Sequence, residues 1–151
     1  MSTHPQTASN DGFLTALVLN LVWINASEVF RYFAFVMPLL RDSFPMLEGV
    51  APMDPGVFAI WAVWDTILVV SVTGFCWLYL ERFGTGAWHA VLAGSGAWTG
   101  IFVILWLGMY NMNLATPTLL AVALPLSWLE LVVAAFIVRW AMVRNAAGQS
   151  A

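Results

Sequence analysis

Residues 13–40 read FLTALVLNLVWINASEVFRYFAFVMPLL, and among these 28 positions only Glu28 and Arg31 carry charge. As one helix the stretch rises about 42 Å at ~1.5 Å per residue, more than the ~30 Å hydrocarbon core of a bilayer. Such a helix must tilt or project beyond the lipid. No Pro or Gly interrupts it before Pro38, so a continuous helix is expected. The alternative is two half-length pieces divided at the polar middle, where Asn25, Ser27, Glu28 and Arg31 cluster.

Three further apolar runs follow. Residues 57–80 hold Asp65 as their only charge, 88–110 have none beyond His89 at the mouth, and 117–143 contain Glu130 and, near the end, Arg139. Each meets the length of ~20 residues that a transmembrane helix requires. Composition agrees: 62% of the chain is hydrophobic and 9% charged, against about 45–50% and about 25% in soluble domains. The fold expected is an all-α integral membrane protein with four antiparallel transmembrane helices in one bundle, a single domain over 1–151. The connections at 81–87 and 111–116 are short, which makes consecutive helices antiparallel neighbours. The first, 41–56, is a turn-rich acidic loop with Pro45, Gly49, Pro52, Pro55 and Gly56 among Asp42, Glu48 and Asp54.

Charge and cysteine usage remove whole classes of function. Eight acids stand against five arginines and no lysine, so no basic stripe exists for nucleic acid or anionic lipid. No lysine is present for a retinal Schiff base. The lone Cys76 in an apolar run excludes dithiol redox chemistry within one chain. The two histidines, His4 and His89, form no pair for haem and no cluster for a transition metal. No cofactor and no metal site is expected. The first twelve residues lack the basic start of a secretory signal, so the first span is expected to stay in the mature chain. Both termini and the second loop share Arg82, Arg139 and Arg144, whereas the opposite side has Arg41. The positive-inside rule then predicts cytoplasmic termini.

The functional signal is the charge left inside the membrane, which is costly and is normally paired or used. Antiparallel packing converts sequence position to depth. Measured from the first-loop side at ~1.5 Å per residue, Glu28 lies ~18 Å in, Arg31 ~14 Å, Asp65 ~12 Å and Glu130 ~20 Å. All four fall in one layer. The near-equal depths of Arg31 and Asp65 predict an ion pair between the first two helices. One arginine leaves a surplus of acid in the layer, and that surplus makes Glu28, Glu130 and Asp65 the candidates for proton exchange or acid/base catalysis. Asn25, Glu28 and Arg31 or Tyr32 recur at helical spacing and share a face. Ser127 stands one turn before Glu130, and Pro125 removes the hydrogen bond to the Ala121 carbonyl, which predicts a free acceptor in the interior. Trp64 adjoins Asp65, and Trp128 lies two before Glu130. Asn25, Arg31, Tyr32, Trp64, Ser127 and Trp128 are therefore the candidate ligand-binding set.

Nine tryptophans divide by depth. Trp61, Trp77, Trp88, Trp106 and Trp140 lie near helix ends, where interfacial anchoring is expected. Trp23, Trp64, Trp98 and Trp128 lie deeper. The third run carries Ala90, Ala93, Gly94, Gly96, Ala97 and Gly100, small residues that allow another helix to approach closely. Asn111 and Asn113 are expected to cap the turn that follows.

Three functions fit these residues. The first is a small transport or proton-coupled binding protein whose carboxylate/arginine site takes a cationic or polar small molecule, with a homodimer expected because four helices are few for a transporter. The second is a membrane-embedded isomerase or cyclase acting on a lipid-soluble isoprenoid or polycyclic substrate by general acid/base catalysis. The third is an accessory subunit of a larger membrane complex. Enzymatic activity is thus left open by the sequence; the partners expected are the lipid bilayer and a small-molecule or lipid ligand, with no nucleic acid.

Overall fold

The computed structural model describes residues 6–46, 49 and 54–148, with side chains from residue 11 onward. The expected turn residues Glu48 and Pro52, and His4 of the tail, lie outside the described residues.

Four helices are long and apolar enough to cross a membrane. Helix α1 runs continuously through Gln6–Arg31, a π-helical turn at Tyr32–Val36 and Met37–Ser43. Helix α2 is Pro55–Phe83 and α4 is Pro117–Gly148. Helix α3 comprises Ala87–Trp98, a second π-helical turn at Thr99–Val103, and Ile104–Asn111. The ends follow local chemistry. Asp54 accepts hydrogen bonds from the amides of Gly56 and Val57 at 2.8 and 3.1 Å, with Pro55 in the first turn, which caps the start of α2. Asn113 adopts φ 58, its amide bonding the Tyr110 carbonyl and that of Leu114 the Met109 carbonyl. This left-handed pair of bonds closes α3 as a Schellman turn, so the capping expected of Asn113 is what the backbone uses.

Helix α4 is the central element and packs against each of the other three, most extensively against α1 and α3. Small residues make this possible: Ala90, Ala93, Gly94 and Ala97 on α3 face Ala134, Ala135 and Val138 on α4 within one core. A Cβ placed on Gly94 would come 2.6 Å from the Val132 Cα and 2.7 Å from the Leu131 carbonyl oxygen. Gly94 is therefore the point where two backbones touch. Gly96 and Gly100 are exposed, and a Cβ placed on Gly100 would meet no other element within 4 Å among the described residues; the seam runs through the alanines and Gly94 instead.

Helix α2 is buried at one end only. Its buried positions begin at Asp65 and continue through Leu68, Val69, Val72, Thr73, Cys76, Trp77 and Leu80. Nothing between 55 and 64 is buried. The half of α2 nearest the first loop thus stands away from its neighbours, and the gap it leaves is the principal cavity.

Candidate functional site

The cavity has a volume of about 640 Å³, within the range of small-molecule sites. Its inner end is polar, with Glu28 and Arg31 side by side. Tyr32 and Val36 of α1 form one wall, and Ile101, Phe102 and Trp106 of α3 a second. Helix α2 supplies the third through Trp61 and Trp64. The mouth is bordered by Ile60, Ile67 and Leu105, exposed by 69, 61 and 53% at positions along the membrane-crossing stretches. A cavity with such a rim opens sideways, toward lipid. Both π-helical turns contribute to its walls, Tyr32 and Val36 from one, Ile101 and Phe102 from the other. Such turns shift the helix register, and they recur at functional sites.

The charged layer is organised around Arg31. Its Nη2 donates to Glu28 Oε1, one turn earlier on the same helix, and lies 3.8 Å from Glu130 Oε2 on α4. The guanidinium sits over the Phe102 ring, 4.8 Å from its centroid, a cation–π contact in a water-poor setting. Ser27 Oγ donates to Glu130 Oε2 at 2.8 Å and Trp23 Nε1 to the Glu130 carbonyl at 3.0 Å. Glu130 is 1% exposed, and its Oε1 has no hydrogen-bond partner among the described residues. One turn beyond Trp61, Asp65 is 2% exposed and its Oδ1 is likewise unpartnered.

The ion pair predicted between Arg31 and Asp65 is corrected by this geometry. Depth along the bundle gives height but not direction around it, and Arg31 turns toward Glu28 and toward central α4. Of the residues singled out from the sequence, Glu28, Arg31, Tyr32 and Trp64 line the cavity. Glu130 stands behind Arg31, and Asp65 is buried nearby without an ion pair among the described residues. The other three lie elsewhere. Asn25 turns its amide back onto the Leu21 carbonyl of its own helix at 2.8 Å. Ser127 Oγ accepts from Trp98 Nε1 at 3.1 Å and donates to the Leu124 carbonyl at 3.0 Å. Trp128 Nε1 donates to Ser95 Oγ at 2.9 Å, so Ser127 and Trp128 fasten α3 to α4. Pro125 and Ala121 sit on the exposed face of a helix that continues through both, which places the freed carbonyl away from the interior site.

Several contributors escaped sequence reasoning. Trp61 and Trp106 line the cavity, and Trp77 is buried in the core, whereas Trp88 and Trp140 have the exposure of interfacial anchors. Phe58, Trp61 and Trp64 form a near-parallel ladder, with centroids 6.2 and 6.3 Å apart and planes 12° and 8° apart. Tyr32 meets Trp61 edge-on at 5.0 Å. Buried Asn20 donates to Thr73 Oγ1 at 3.0 Å and to the Ala134 carbonyl at 3.4 Å, tying three helices together on the terminal side of the charges. The spacing of Asn20, Ile24, Ser27 and Arg31, alternating four and three residues, was the available signal.

Comparison with protein families, with characterised proteins and with solved structures finds no match to this chain. The class defined by the fold is a multi-pass, four-helix membrane protein, and its chemistry has to be argued from the site.

Proposed function

We propose that this chain is a membrane-embedded enzyme that takes a lipid-soluble substrate sideways from the bilayer and isomerises or cyclises it, with Glu28 as the group that accepts and returns the proton. The observation that carries this reading is the cavity itself: apolar walls, a rim at bilayer depth, and an inner end made of one acid and one base. Substrate dissolved in lipid reaches Glu28 without crossing water. Positioned acid/base groups of this kind contribute roughly 10²–10⁴-fold to a rate. Arg31 supports the proton transfer from beside Glu28. When Glu28 is protonated, the guanidinium still has Glu130 at 3.8 Å as counterion, and Ser27 holds that carboxylate in place. An isomerisation takes up one proton and releases one, so the overall reaction needs no oxidant or reductant.

The experiment is to incubate the protein in lipid discs containing a panel of conjugated polycyclic and isoprenoid ketones in D₂O, and to follow isomer formation and deuterium at carbon by mass spectrometry. Deuterium incorporation by wild type and its loss in Glu28→Gln is the expected result. Equal incorporation by both forms would remove Glu28 from the role.

A second reading, transport of a cationic or polar solute with Glu28 and Glu130 exchanging protons, is favoured by one observation. A second cavity of about 450 Å³ lies at the far end of α1 and α4, lined by Asp11, Thr15, Arg144 and Asn145 among others. The Asn20–Thr73–Ala134 hydrogen bonds and buried Ile24 and Leu131 fill the space toward the charged layer, which is why the single-mouth reading ranks first. Proton-linked flux into liposomes that is lost in Glu28→Gln would reverse the order. The arginine distribution supports cytoplasmic termini, which sets the larger cavity in the opposite leaflet; labelling of single cysteines added at each end tests this.

A further inference from the structure

On the reading of this cavity as a ligand site, its walls decide which kind of molecule it takes. Charge comes first. The carboxylate that faces the cavity, Glu28, is already bonded to Arg31, while Asp65 and Glu130 do not line it. An organic cation entering from lipid would therefore meet no free carboxylate and would face the guanidinium. The aromatic faces lead to the same conclusion. Trp61 is flanked by Phe58 on one side and Trp64 on the other, both nearly parallel to it, and the Phe102 face is covered by Arg31. The Phe102 face that would attract a cation is already occupied by one, and ring edges carry the opposite polarity.

Hydrogen-bond donors are what the site has in surplus. Both carboxylate pairs of Arg31 run through Nη2, so its Nε and Nη1 donors are engaged by neither. Trp106 lines the cavity one turn after Phe102, on the same face of α3, and its buried indole N–H has no acceptor among the described residues. A buried donor left unpaired is costly and is normally satisfied. An oxygen brought by a ligand fits both needs at once.

We infer that the occupant is a neutral, lipid-soluble molecule carrying a hydrogen-bond-accepting oxygen, held with that oxygen between Arg31 and Trp106 and its apolar body along the aromatic wall of α2. The cavity follows α2 from Val57 to Ser71, about 21 Å at ~1.5 Å per residue, so the body is elongated. In the proposed reaction the same two donors stabilise negative charge developing on that oxygen while Glu28 holds the proton.

The test uses the full chain in lipid discs and three probes of one skeleton: a polycyclic ketone, its parent hydrocarbon and the corresponding quaternary ammonium. Retention of each is measured by mass spectrometry for wild type, Trp106→Phe and Leu105→Trp, the last filling the mouth. Wild type is expected to retain the ketone about tenfold better than the hydrocarbon, in line with one buried donor satisfied. The ammonium should be no better retained than the hydrocarbon. Trp106→Phe is expected to cut the ketone preference to about threefold or less and leave hydrocarbon retention unchanged. Ammonium retained as well as the ketone, or ketone and hydrocarbon retained equally, overturns the oxygen-acceptor assignment while the cavity remains a ligand site. Retention of all three unaltered by Leu105→Trp overturns the site and this inference with it.

Discussion

At the end of the bundle that carries both termini, α3 and α4 meet backbone to backbone at Gly94 and Val132, and Ala16, Ala93, Ala135 and Cys76 fill a core without exposed surface. At the other end, α2 has no buried residue before Asp65 and a cavity of about 640 Å³ separates it from α1 and α3. The same four helices are thus closed at one end and open at the other. The difference is one of side-chain size. Alanine and glycine let helices approach in lipid, where no hydrophobic force drives them together; the Phe58–Trp61–Trp64 ladder and Tyr32 hold α2 off. Between the halves lies the charged layer, where Arg31, Glu28 and Glu130 join α1 to α4. Stability belongs chiefly to the closed half, and the proposed selectivity to the open one.

The sharpest way to break this contrast is to remove the charge at the boundary. Arg31→Met leaves two buried carboxylates without a cation and is expected to cost about 3–5 kcal/mol, read as a large fall in thermal midpoint in lipid discs; the double variant with Glu28→Gln is expected to recover part of it. Within the closed half, Gly94→Ala drives a Cβ onto the α4 backbone and is expected to cost about 1–3 kcal/mol, with weaker association of α3 and α4 visible as faster proteolysis of the 81–87 connection. Asp65→Asn sharpens the picture of the layer, because an ion pair with Arg31 would make it severe. With no such pair, a loss below about 1 kcal/mol is expected in thermal unfolding. In the open half, Ile67→Trp alters a rim residue 61% exposed, and a stability change within about 0.5 kcal/mol is expected alongside loss of ligand retention.

How far the sequence carries the account is visible in particular residues. The spans over 13–40, 57–80, 88–110 and 117–143 fall within the observed helices because hydropathy and length are fixed by the bilayer itself. Asn113 was legible as a cap because asparagine tolerates the left-handed conformation. The depth of Glu28, Arg31, Asp65 and Glu130 also came from counting residues. What counting does not supply is direction around each helix, and there Arg31 was given to Asp65 instead of Glu28 and Glu130. Trp61 and Trp106 were read as anchors by their distance from helix ends, yet the splay of α2 and the π-helical turns bring them to the cavity. Asn25 was grouped with Glu28 by spacing, although its amide is satisfied within its own helix; Asn20 and Ser27 hold the corresponding interior positions.

In the proposed function the open half receives a small molecule from the bilayer at Glu28. This is tested most directly by extracting wild type and Ile67→Trp with their surrounding lipid in polymer discs and weighing the released complexes by native mass spectrometry. One small lipid-soluble molecule is expected on each wild-type chain and none on Ile67→Trp at equal thermal stability. Chains of both forms that carry the same molecules, or none, would contradict that function.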